Sequence, residues 1–65
     1  MNFDIECDRE DDGRWLAEIP ELPGVMKYGD TKPDAEAEVT ALALRVIAED
    51  TERRVRKPPK SIRFL

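Results

Sequence analysis

The residues that could do chemistry here are few: Cys7 is the only cysteine, histidine is absent, and fifteen carboxylates are spread through the first four fifths of the chain. A single thiol cannot form an internal disulfide, and without histidine neither a zinc centre nor a base to activate that thiol is expected. Cys7 shares a strand face with Phe3 and Ile5, so its plain reading is an inert core thiol, because reactive thiols need an electropositive, accessible setting. Asp4, Glu6 and Asp8 occupy the opposite face of the same strand, with Glu18 on a neighbour. Such a set could hold a magnesium ion in a nuclease, but a solvated acidic sheet face is the simpler expectation. Gly24 and Gly29 fall in no phosphate-cradling pattern. No catalytic residue, metal or cofactor is expected, and the protein reads as a binder rather than an enzyme.

Charge is informative by position. All fifteen acidic residues and five of the eleven basic ones lie in residues 1–52, a net charge of −10. The other six basic residues, Arg53, Arg54, Arg56, Lys57, Lys60 and Arg63, lie in 53–65 with no acid, a net +6. An acidic body repels nucleic acid and attracts basic proteins. The basic segment could touch phosphate, yet its only aromatic, Phe64, is placed inward by alternation, so no direct DNA binding is expected. An acidic face on one copy could equally attract the basic segment of another.

The elements that must position these residues follow from periodicity. Phe3, Ile5 and Cys7 alternate with Asp4, Glu6 and Asp8 over residues 2–9, a half-buried strand. Glu10 to Gly13 is a hairpin turn, with Gly13 supplying a positive dihedral. The second strand, residues 14–19, directs Trp15, Ala17 and Ile19 one way and Leu16 and Glu18 the other. Pro20 ends it, Pro23-Gly24 turns the chain back, and residues 25–28 form a third strand in which either Val25 or the pair Met26 and Tyr28 faces the core. Thr31 caps a helix, with Asp34 in the position of a capping-box acid and Pro33 in the first turn. Ala35, Val39, Leu42, Ala43 and Val46 form its core stripe, widened by Leu44 and Ile47. Acids early and Arg53 and Arg54 late suit the helix dipole, and Pro58-Pro59 stops the helix. A fourth strand, residues 60–65, turns Ile62 and Phe64 inward.

The expected architecture is one α+β domain spanning residues 1–65, β-β-β-α-β, with a single helix on one face of a small antiparallel sheet. One helix covers one sheet face, so Leu16, Leu22, Leu65 and either Val25 or Met26 are expected on the other, where they call for a second protein chain. A domain of 65 residues buries only about 60% of its unfolded surface. With no disulfide or metal available, self-association into a homodimer or higher homo-oligomer is the remaining support. No apolar run approaches a membrane span and the N-terminus is not signal-like, so a soluble cytoplasmic protein is expected.

The run Gly13-Arg14-Trp15-Leu16-Ala17-Glu18-Ile19-Pro20-Glu21-Leu22-Pro23-Gly24, followed by Gly29-Asp30-Thr31 and Ala35, resembles the HicB-like antitoxin family, whose pattern is an aromatic, an alanine, P-x-L-P-G, G-x-T and an early helical alanine. The resemblance spans most of the chain and implies a partial RNase H-like fold with the last strand beside the first. It also implies a function: binding and neutralising a HicA-type toxin, a small basic RNA-cleaving protein, by covering its active surface. Family members that repress their own operon carry a further DNA-binding domain after the strand corresponding to residues 60–65, which is not seen in this sequence. Candidate partner contacts are Asp11, Glu18, Glu21, Leu22, Tyr28 and Asp30, acidic or presentable residues in or beside the 19–31 stretch. The alternative reading is an orphan oligomeric binding module with no toxin partner.

Overall fold

A computed structural model describes residues 1–65. Five strands and one helix follow in the order β1 (Asn2–Phe3), β2 (Glu6–Arg9), β3 (Trp15–Glu18), β4 (Met26–Gly29), α1 (Lys32–Glu52) and β5 (Arg63–Phe64). β2, β3 and β4 form an antiparallel sheet in that order, while β1 pairs in parallel with β5. The expected first strand is thus one alternating run broken at Asp4 and Ile5, its first half serving β5 and its second half β3. The last strand lies beside the first, and the class is α+β.

Hairpin β2–β3 closes through Asp11, Asp12 and Gly13. The Gly13 N–H donates to the Glu10 carbonyl at 2.9 Å, and Gly13 takes φ 91°, the left-handed residue that a three-residue hairpin loop requires. Between β3 and β4 the chain makes two successive β-turns. Leu22 N–H donates to Ile19 O at 3.0 Å and Val25 N–H to Leu22 O at 3.0 Å. Each turn has a proline at its second position, Pro20 and Pro23, where a fixed φ near −65° favours the turn. Gly24, at φ 82°, fills the third position of the second turn, where a type II turn needs a positive dihedral.

These turns bring Ile19, Leu22 and Val25 to one side at a spacing of three, and all three are buried. They join Phe3, Ala17, Ala35, Val39, Ala43 and Ile47 in a single core, with Ile5, Cys7, Trp15, Leu42, Val46 and Phe64 packed around it. One expectation is corrected here and one alternative decided. Leu22 belongs to the core beneath the helix instead of the opposite face, and of the two readings of the third strand it is Val25 that faces the core while Met26 and Tyr28 take the opposite face. The reason is the double turn, whose period of three supersedes the alternation of an extended chain.

Helix α1 starts as expected. Thr31 has extended dihedrals, its Oγ1 accepts from the Asp34 N–H at 3.2 Å, and Pro33 sits in the first turn. Only this half of a capping box forms, since the shorter Asp34 side chain makes no return bond to Thr31. The buried residues Ala35, Val39, Ala43 and Ile47 repeat every four positions. Leu44 points away from them and is exposed, so it does not widen the core stripe. Where α1 crosses the end of β4 the two backbones nearly touch: a Cβ on Gly29 would stand 2.5 Å from the Ala35 nitrogen. Residue 29 is therefore held to glycine by the helix backbone at Asp34 and Ala35, which occupies the space a side chain would need.

The helix ends at Glu52, six residues before Pro58, which is a further correction. Arg54 N–H donates to Thr51 O at 3.1 Å and Val55 N–H to Asp50 O at 2.8 Å, with Arg54 at φ 61°. Those are the two bonds of a Schellman termination, in which the left-handed position is usually glycine. No basic residue lies in the last helical turn, so Arg53 and Arg54 sit beyond the helix. β5 is only two residues long; Phe64 stacks on Phe3 at 5.5 Å between ring centroids, but Ile62 is exposed and does not face the core.

Candidate functional site: the outer sheet face

The helix covers one side of the β2–β3–β4 sheet and leaves the other bare. The register identifies what lies there. Glu6, Glu18 and Met26 form one row across the three strands, and Asp8, Leu16 and Tyr28 form the next. Met26 and Tyr28 are 44% and 48% exposed, high values for residues of their size in strands. Leu16 and Glu18 are half-buried and Glu6 and Asp8 exposed. Glu6 stands directly opposite Glu18, a like-charge cross-strand pair that costs stability unless something neutralises it. None of Glu6, Asp8 and Glu18 has an ion-pair partner within the chain.

At the hairpin end of this face Arg14 is held by Asp12. The Arg14 Nε donates to Asp12 Oδ2 at 2.8 Å and the Arg14 backbone N–H to Asp12 Oδ1 at 3.0 Å. These bonds, the backbone one first and the guanidinium second, hold the Asp12 carboxyl below its ordinary pKa. The guanidinium in turn lies 4.4 Å from the centroid of the Tyr28 ring, a cation–π contact. Asp12, Arg14 and Tyr28 are therefore a stacked unit, which orients a large exposed aromatic on an otherwise acidic surface. Glu10 and Asp11 complete a shallow open depression around it.

The six residues singled out in the sequence do not form one patch. Glu18 and Tyr28 lie on the outer sheet face, Asp11 shares the depression with Tyr28, and Asp30 is exposed directly after β4. Glu21 has another role: its Oε2 accepts from the Asp4 N–H at 3.1 Å, at the point where β1 breaks from β2. It ties the double turn to the interrupted strand. Leu22 is 4% exposed and is a core residue, so it is not presented to a partner. Glu6, Asp8 and Leu16, which alternation placed on this face, Met26, one of the two residues offered for it, and Arg14 were not among those six. Their signal was alternation: each lies out of phase with a core-facing neighbour.

Cys7 faces the helix, packed against the core and half-buried. Burial first, and the nearby carboxylate of Glu36 second, raise its pKa, so it is a protonated thiol at neutral pH. No three Asp, Glu or Cys side chains converge as a metal ion would require. No helix is long and apolar enough to cross a membrane. The sequence matches no family model, no curated protein and no solved structure.

Proposed function

We propose that this protein neutralises a small basic RNA-cleaving toxin of the HicA type by laying its outer sheet face over the toxin's RNA-binding surface in the cytoplasm. The observation that carries this reading is the uncovered row of unpaired carboxylates, Glu6, Asp8 and Glu18, interleaved with Leu16, Met26 and Tyr28. Carboxylates set where phosphates would lie are complementary to a basic, RNA-binding partner, and the apolar residues between them supply area to bury. The HicB-like pattern from Gly13 to Ala35 points to the same class of partner. Binding here is stoichiometric occlusion and needs no catalytic group on this chain.

The experiment is titration of a HicA-type toxin with the purified protein while RNA cleavage is followed. The expected result is loss of cleavage as the protein approaches equivalence, and its retention when Glu18→Lys/Tyr28→Ala replaces the native chain. Undiminished cleavage at excess native protein overturns the reading. The same bare face also suits an orphan module that assembles with itself, and this second reading predicts self-association without any toxin.

A further inference from the structure

We propose that the outer sheet face binds the basic segment of a second copy of this chain, two copies packing antiparallel so that residues 53–63 of each cover the acidic rows of the other. Phe64 and Phe3 stack against each other in the core, so their strand neighbours Arg63 and Asn2 point to the opposite side, the side of Glu6 and Asp8. Along that one face the charge is graded. Arg63 stands at one end, the Glu6–Glu18 and Asp8 rows follow, and Asp11, Asp12 and Asp30 lie at or beyond the hairpin end.

Helix α1 carries acids at both ends, Asp34, Glu36 and Glu38 in its first turns and Glu49, Asp50 and Glu52 in its last, and the basic residues Arg53 and Arg54 follow just past it. The molecule is 39 Å along its longest axis and 19 and 15 Å along the others. Within a single copy Arg54, Lys57, Lys60 and Arg63 make no ion pair, and neither do Glu6, Asp8 and Glu18. In the basic segment only Arg53 and Arg56 find carboxylates, Glu49 and Asp50, each at 3.6 Å.

One copy leaves both sets unpaired, and a two-fold rotation matches both at once. Because the contact is reciprocal, it closes as a dimer instead of growing into a filament. The association is electrostatically complementary and therefore salt-sensitive. It stands on the charge layout alone and requires no toxin. A basic partner would have to displace the segment to reach the face, so self-association would regulate access to it.

The test uses the full chain alone, measured by light scattering after size exclusion and by sedimentation equilibrium. The expected result is a species of twice the 7.5 kDa chain mass at about 0.01 M salt, falling to monomer at about 1 M as the screening length shrinks from about 30 Å to about 3 Å. Lys60→Glu/Arg63→Glu and Glu6→Lys/Glu18→Lys are each expected to be monomeric at low salt. Mixed in equal amounts, they are expected to restore a dimer, because each then supplies the charge that the other lacks. A native chain that stays monomeric at low salt overturns the proposal, whether or not the variants fold. So does a dimer that survives high salt, or folded variants that dimerise alone as well as they do together.

Discussion

Leu22 lies in the middle of the most polar-looking turn of the chain and is nevertheless 4% exposed, because it is the shared corner of two proline-led turns. Leu22→Ala is expected to destabilise the protein by about 2–5 kcal/mol, the cost of emptying a buried leucine site, read from the midpoint of urea unfolding. A residue serving only partner contact would leave that midpoint in place. Asp12 gives the opposite case, an exposed residue with a definite local role. Its pKa is lowered in the folded chain, so its contribution to stability is present above the ordinary carboxylate pKa and is lost as pH falls through the lowered value. A carbon-13 titration should show Asp12 protonating below the ordinary aspartate range, and Arg14→Ala should remove only the guanidinium's share of that lowering, because the backbone N–H at position 14 remains.

At the scale of elements the helix terminus is where sequence reading missed most. Pro58-Pro59 looked like the stop, yet the Schellman bonds at Arg54 and Val55 end the helix first. An arginine at φ 61° carries a Cβ where glycine carries none. Arg54→Gly is accordingly expected to stabilise the fold by about 1 kcal/mol, measured by thermal or urea unfolding. Were Arg54 helical in solution, the same change would destabilise the chain by a similar amount. The helix start was legible because Thr31, Pro33 and Asp34 each have a positional preference grounded in backbone donors. Its end lacked the glycine that usually announces it. The third strand was ambiguous for a related reason: four residues with apolar side chains on both faces carry no period strong enough to fix which way they point, and the double turn settled it.

Across the whole molecule, charge segregation and one-sided helix coverage leave a single face with unpaired carboxylates, exposed Met26 and Tyr28, and no internal partner. That face serves both the proposed toxin contact and the proposed self-contact, and one surface cannot satisfy both at the same time. Alternation, caps and the order of elements were fixed by local chemistry, since each depends on residues a few positions apart. So was the separation of acidic from basic sequence. Tertiary structure alone decided that Leu22 and Val25 are core, that Glu21 ties a turn to the strand break, that Gly29 is small to admit Ala35, and that Arg14 bridges Asp12 to Tyr28. Each of those depends on backbones or side chains brought together by folding, and a periodic pattern along one strand or helix carries no record of what lies across from it.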